Sequence, residues 1–292
     1  MMEEKKYKIG IIGRGFVGSA VEHGFLCDDN YKADVKIFDK SPKLSTHTLE
    51  ETVNDSMFIF ISIPTPANLN GSINLDALDI VLNNINKCIE NDCIILIRST
   101  ITPGTSNFFS KKYPKLNIVF NPEFLTEKNA KEDFINQSRI ILGGRNSFTA
   151  KVAELYKWRF DNKVPIIQTD YQTAELIKYM NNTFLATKVS FMNEMFLVAN
   201  KVGANWEKAV EGFVLDNRVG LSHVNVPGHD GKFGFGGSCF PKDIQALIYF
   251  SEKLGLDMSV LKGAWKTNLK VRPEKDWEKL EGRALTSKKA KE

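Results

Sequence analysis

A stretch carrying five glycines, Gly228 to Gly237, leads directly into Ser238-Cys239-Phe240-Pro241-Lys242-Asp243. Glycine lets a backbone close tightly around a bound molecule, which places Phe235 and Gly236 as ligand contacts. Pro241 suits the first position of a helix, so the Cys239 thiol stands just ahead of a helix N-terminus. Thiol pKa values of roughly 3.5 to 7.5 occur in such settings, and Cys239 is a candidate nucleophile. Asp243, in the first turn of that helix, either complements the helix dipole from the surface or is a buried partner of Lys178. Lys178 and Asn182 are four apart in a helical pattern and project from one face. Beside an apolar stripe a partly buried ammonium is costly unless something anionic meets it. A catalytic cation next to an amide donor is one reading; a snorkelling lysine with a surface asparagine is the other. Asn181, three from Lys178, belongs to the same question. The remaining cysteines, Cys27, Cys88 and Cys93, read as small buried hydrophobes.

A second group of residues points to a dinucleotide. Ile9 to Gly18 reads IGIIGRGFVG, with Gly13, Gly15 and Gly18 in G-x-G-x-x-G spacing after a strand and opening a helix. The first glycine permits the tight turn, the second lets the backbone approach a pyrophosphate, and the third lets helix and strand pack closely. Amides at the helix start, those of Phe16 and Val17, then face the phosphates. Asp39 ends the next strand 21 residues past Gly18, where a carboxylate accepts from ribose hydroxyls and repels a 2′-phosphate. NAD is therefore expected over NADP, with Lys40 and Lys43 as the opposing charges. Three further loops leave strand ends at the ligand edge: Ser62 to Pro66 with Pro64 and Thr65, Arg98 to Thr105 with Ser99 and Thr100, and Asn121 to Glu127. Proline in each fixes the departing backbone. Ser99 and Thr100 serve either the ligand or as caps of the helix after Pro103. Glu123, a carboxylate at a strand end in the crevice, is a candidate base.

These residues need a scaffold, and the apolar pattern supplies one. Short β-branched runs at Tyr7–Ile12, Val35–Phe38, Met57–Ile63, Cys93–Ile97, Asn117–Phe120 and Arg139–Leu142 alternate with amphipathic segments. Such alternation predicts a parallel, doubly wound sheet of Rossmann type with ligands at the carboxyl ends of its strands. A helix over 147–158 and a strand over 164–168 follow. From Gln172 to Val202 there is no Pro or Gly, and Leu176, Ile177, Met180, Phe184, Val189, Met192 and Phe196 recur at helical steps. This predicts one long helix closed by Gly203, then a helix capped by Asn205 and another from Pro241. The fold class is α/β followed by an all-helical domain: residues 1–170 for the dinucleotide, 171–292 for the long helix and the cysteine loop.

Composition narrows the classes. The chain has 292 residues, 42% hydrophobic, with 39 Lys and Arg against 35 Asp and Glu. That length favours two cores. A net charge of +4, spread along the chain except for Lys288, Lys289 and Lys291, gives no reason to expect a nucleic-acid partner. The tail reads as a solvated end. No run approaches the roughly 20 apolar residues of a membrane span, and the start MMEEKKYK lacks a secretory apolar stretch, so a cytoplasmic protein is expected. Four cysteines at irregular spacing suit neither a disulfide scaffold nor a zinc site, and no metal is expected.

Taken together, GIIGRGFVG, SIPTP, RSTITPGT, NPEFLTE, AELIKYMNNTFLA and GFGGSCFPKD resemble, in this order, the UDP-glucose and GDP-mannose 6-dehydrogenases. The resemblance runs from about Tyr7 to beyond Trp277. It implies an enzyme that oxidises the primary alcohol of a nucleotide sugar to a carboxylate, in two hydride transfers to two NAD, without releasing the aldehyde. By motif, Cys239 is the nucleophile; Lys178, Asn182 and Asp243 stabilise the oxyanion and position water; Thr100 and Glu123 complete the set. Glu127 and the backbone of Phe124 and Leu125 look like substrate contacts, and Arg218 resembles an arginine that reaches the neighbouring subunit's substrate. UDP-glucose is the first expectation, ahead of GDP-mannose and UDP-N-acetylhexosamines. A homodimer through the long helix is expected, because its apolar stripe is wider than one small domain can cover. Two features depart from the family. Phe233 stands where bacterial relatives usually carry Arg, and the family continues into a third, nucleotide-sugar-binding domain beyond the stretch that ends here at Glu292. A 3-hydroxyacid dehydrogenase shares the NAD fold and the Lys-x-x-x-Asn helix but needs no thiol. A silent NAD-binding subunit has no reason to keep every catalytic position filled.

Overall fold

Runs of Ile, Phe and Leu that are buried on both faces can only be central strands of a covered sheet, and the computed structural model, which describes residues 6–286, places them so. The tail lysines Lys288, Lys289 and Lys291 lie outside the described residues. The first compact unit comprises residues 1–65 and 75–178. Its strands are β1 (Lys8–Ile12), β2 (Asp34–Phe38), β3 (Phe58–Ile61), β4 (Ile94–Ile97), β5 (Asn117–Phe120), β6 (Ile140–Gly144) and β7 (Ile166–Thr169). They run in the order β2-β1-β3-β4-β5-β6-β7. The sheet corrects the all-parallel expectation at one place: β6 runs antiparallel to β5, with Val119 opposite Gly144, while β7 is parallel to β6.

Helices α1 (Phe16–Leu26), α2 (Leu49–Asn54), α3 (Asp76–Cys88), α4 (Thr105–Lys112), α5 (Ala130–Ile135) and α6 (Asn146–Phe160) cover the sheet. One core cluster gathers Phe25, Phe60, Phe134 and Tyr156, the other Ile59, Leu82, Ile95 and Phe109. The glycine-to-helix turn is tight for a steric reason. A Cβ on Gly18 would stand 1.9 Å from the Gly13 carbonyl oxygen, and one on Gly13, at φ +90°, 2.6 Å from that of Ser62. Thr48 and Glu51 form a reciprocal capping box at the start of α2, which places β3 next in line.

The long helix α7 spans Tyr171–Val202, 32 residues, and Gly203 follows at φ 70°. The compact units part inside it, after Lys178, whereas the sequence boundary at 170/171 lies at its start. The second unit holds the rest of α7, α8 (Trp206–Val214), α9 (Phe240–Lys253) and α10 (Ser259–Val271), together with residues 66–74 from the first half of the chain. Asn205 caps α8 as expected, accepting from the Lys208 amide at 2.9 Å. The 66–74 segment is a small hairpin: Ala67 bridges Ile73 and, on its other side, Leu285. No helix among the described residues is long and apolar enough to cross a membrane.

The apolar periodicity of α7 serves both faces: Met192 is buried with Phe196 packed against it, and Met180 and Phe184 face outward. Met180 and Phe184 are 59% and 66% exposed, while the buried face carries Ala174, Glu175, Lys178, Tyr179, Asn182, Thr183, Ala186, Ser190 and Asn193. Two of the cysteine expectations also change. Cys93 is buried, and burial pushes its thiol up to about 12, but Cys27 is exposed and Cys88 half-buried.

Candidate active site

In the first unit the ligand edge is built on β1, β3, β4 and β5. Gly15 is the residue before α1, which carries no side-chain cap, and a Cβ there would meet nothing within 4 Å. The helix start is therefore open to an anion at the position where the fingerprint requires one. Asp39 accepts from the Arg14 amide at 2.7 Å and the Ser41 amide at 2.8 Å. A carboxylate has about four lone-pair sites, so two hydroxyls can still be accepted. These residues fit a dinucleotide with a free ribose diol. Arg14 fastens the turn from outside: its guanidinium donates to Glu22, and that hydrogen bond, aided by the carboxylate charge, raises the arginine pKa.

The loops after β3 and β4 are stitched together. The Ser99 hydroxyl donates to the Ile63 carbonyl at 2.7 Å and accepts from the Ile63 amide at 3.2 Å, and the Thr65 hydroxyl donates to the Thr100 carbonyl at 2.7 Å. The helix-cap alternative fails, because α4 opens after Gly104 without a side-chain cap. Pro64 stays exposed at the loop tip, while Thr65 is buried. Beneath the loops, Arg98 donates to Asn121 at 2.7 Å and to the Tyr156 hydroxyl at 3.2 Å, and Asn121 donates to the Ile141 carbonyl. Arg98 and Asn121 open the two motif loops and pin both to the sheet. Their role was hidden in the sequence, because Tyr156 joins from 35 residues beyond Asn121.

Glu123 and Lys178 are the buried pair of this unit. The ammonium lies 2.9 Å from Glu123 Oε1, also donates to the Glu123 carbonyl, and stands over the Phe124 ring; Glu123 Oε2 accepts from the Leu125 amide at 2.7 Å. The side chains are 4% and 7% exposed, so the snorkelling reading of Lys178 is excluded. Glu127 is exposed and Leu125 half-buried.

The second unit carries the thiol. Helix α9 begins at Phe240, one residue earlier than expected, so Cys239 itself is the cap residue, with Pro241 in the first turn. The Cys239 carbonyl accepts from the Asp243 amide at 2.8 Å. Asp243 is fully buried, which excludes its surface reading. Its carboxylate accepts from Asn182 Nδ2 at 2.6 Å and pairs with Lys242, a buried cation that sequence reasoning left unassigned. Asn182 is buried with it, and Asn181, half-buried, donates to Asn182 Oδ1. Phe235 is corrected as a ligand contact: its ring turns inward onto Phe240 and Trp265, and Asn268 occupies both of its main-chain groups. Gly236 lies against the Arg272 guanidinium. Arg218 is on an exposed loop, paired with Asp216. No cluster of three or more His, Cys, Asp or Glu among the described residues could hold a metal.

Comparison with known proteins agrees with both halves. Residues 27–159 match the NAD binding domain of the UDP-glucose/GDP-mannose dehydrogenase family, and residues 172–270 match its central domain. A UDP-glucose 6-dehydrogenase of Rickettsia prowazekii is 36% identical and one of Rickettsia bellii 34%, each over 91% of this chain and 67% of its own length. The chain thus spans about two thirds of these curated relatives. Among solved structures, a UDP-glucose dehydrogenase from Pyrobaculum islandicum superposes with a TM-score of 0.82 at 28% identity, covering 92% of this chain and 69% of its own.

Proposed function

The chain belongs to the UDP-glucose/GDP-mannose dehydrogenase family, and from that premise we propose that it oxidises a nucleotide sugar, UDP-glucose first, at its primary alcohol to the carboxylate. Bound NAD, held by the Gly13–Gly18 turn and Asp39, would supply the hydride acceptor for both oxidations, the hydroxyl proton of the first passing to water. Once the alcohol has become an aldehyde, the Cys239 sulfur adds to the carbonyl carbon and forms a thiohemiacetal. The Asn182 amide is the donor offered to the oxyanion of that addition; a donor of this kind is worth about 10² to 10³ in rate. Loss of the second hydride leaves a thioester on Cys239. Water, oriented by the buried Asp243 carboxylate, gives up a proton to bulk water as it adds to that carbonyl; the carbon–sulfur bond breaks and the thiolate leaves.

The observation that carries this reading is Cys239 as the cap residue of α9, four residues ahead of a fully buried Asp243 bonded to Asn182. An enzyme making a single hydride transfer needs no such thiol. The deciding measurement is NADH formed per sugar with limiting UDP-glucose, then GDP-mannose. Two per sugar is the expected result, and one would mean an ordinary alcohol dehydrogenase. Cys239→Ser is expected to stall the second oxidation; turnover at the wild-type rate in that variant would exclude the covalent route.

The outer face of α7 supports a second copy of the chain as partner. Met180, Phe184, Phe191, Met195, Val198 and Val202 fall on one side of the helix, and each is at least 37% exposed. Arg218, on its exposed loop, is the residue this reading sends to the partner's substrate.

A further inference from the structure

The glycine loop ahead of Cys239 has no regular secondary structure to hold it between Gly231 and Ser238. Side chains from two helices hold it instead. Asn268 of α10, with no exposed surface, makes a two-way clamp on Phe235: its Oδ1 accepts from the Phe235 amide at 2.7 Å and its Nδ2 donates to the Phe235 carbonyl at 3.0 Å. Asn193 of α7, also buried, accepts from the Gly234 amide at 3.0 Å, and its own Nδ2 is anchored on the Val189 carbonyl. Arg272, one turn beyond Asn268, donates to the Phe233 carbonyl and is itself fixed by Asp230 and Asp276, each at 2.7 Å. Three consecutive loop residues are thus gripped through their main chain.

The glycines fit these grips and nothing larger would. A Cβ on Gly234, at φ +64°, would stand 2.4 Å from Asn268 Oδ1, and one on Gly236 would stand 2.4 Å from Arg272 Nη2. Any side chain at either place would push the clamp off the loop. Beyond Gly236 the chain has only Gly237, at φ +73°, and Ser238 before the thiol. With so short a lever, displacement at Phe235 is passed on to Cys239.

We propose that Asn268, Asn193 and Arg272 are positioning residues for Cys239: the clamp on Phe233–Phe235 sets where the thiol stands at the head of α9. This deepens the proposed function and rests on Cys239 being its nucleophile. A misplacement of about 1 Å can cost on the order of 10²-fold in rate. The thiol itself offers a readout that needs no turnover. In Asn268→Ala and Arg272→Lys, the rate of Cys239 alkylation by iodoacetamide is followed against pH, each site being read by peptide mass spectrometry. The exposed Cys27 in the other unit serves as internal reference.

The expected result is a change of at least about threefold in the Cys239 rate, or a displaced pH midpoint, with the Cys27 rate unmoved, because thiolate fraction and access both depend on place. Where the nucleotide-sugar assay turns over, kcat should fall with little change in the KM for NAD. A lowered melting temperature with an unaltered Cys239 profile would overturn the proposal and leave the asparagines as packing residues. If Asn268→Ala does not fold, Asn193→Ala removes one bond of the clamp and is judged by the same criterion. Failure of the two-NADH stoichiometry would strike the proposed oxidation alone, since the alkylation rates are measured without substrate.

Discussion

Glu175 is buried in α7 three residues before Lys178, and its carboxylate accepts from the Gly104 amide at 2.6 Å and the Ser106 amide at 2.7 Å. Those bonds favour the charged form, yet burial outweighs them and pushes the group up to about 7 from its ordinary 4.5. A folded-state value above the unfolded one means that the native protein binds the extra proton between these limits. Stability is therefore full below about pH 4.5 and falls as pH rises through 7, by on the order of 3 kcal/mol. Calorimetry from pH 5 to 8 should show the melting temperature descending over this window in the wild type and the descent flattened in Glu175→Gln; equal descents would rule Glu175 out as its source. Lys178 and Glu123 differ, since each neutralises the other out of water. Removing one partner of a buried pair typically costs about 3 to 5 kcal/mol, because the other charge is left unmet. Lys178→Met should accordingly be less stable than Lys178→Met with Glu123→Gln, as measured by urea unfolding. If the double variant is the weaker of the two, the pair is not the origin of the loss.

At the scale of elements, how much could be read from the sequence depends on whether a pattern is local. Runs such as Phe58–Ile61 and Ile94–Ile97 are legible because a doubly covered strand is continuously apolar. The reversed direction of β6 is not, since an apolar run reads alike in either orientation. The motif loops were legible as loops leaving strand and helix ends, but their supports were not: Asn268 reaches Phe235 from 33 residues away. In α7 the apolar period was real and only part of it is core: Met192 is buried, while Met180 and Phe184 face outward because the inner face also carries Lys178, Asn182 and Asn193. Those that face outward, Phe184 and Phe191 among them, can be buried only by another surface. Phe184→Glu combined with Phe191→Glu should convert a dimer to monomers in light scattering behind a sizing column, with helix content retained. A wild-type chain that elutes as a monomer at micromolar concentration would refute the helix-to-helix dimer.

For the whole molecule, the order of the chain and the order of the units do not coincide. The polypeptide leaves the first unit at Thr65, contributes residues 66–74 to the second, returns, and departs for good after Lys178. Within the second unit the excursion is structural. Ala67 is fully buried, its amide donates to the Ala284 carbonyl at 3.0 Å, and its carbonyl accepts from the Thr286 amide at 2.9 Å. Asn68, Ser72 and Asn74 close the hairpin on itself. Composition alone offers no sign of this, because the partners are more than 200 residues apart and neither segment has apolar periodicity. A fragment of residues 179–292 would lose both bridging hydrogen bonds and the buried Ala67 and Ile73. At about 1 kcal/mol for each bond, together with the lost apolar burial, that is a large share of the stability of a domain this small. Joining residues 66–74 to the fragment through a flexible linker should therefore raise its melting temperature by several degrees, as followed by circular dichroism. A scrambled 66–74 sequence on the same linker should not. If both linked fragments melt with the bare one, the hairpin is a passenger on the second unit, and the excursion has to be explained by what it does for the first.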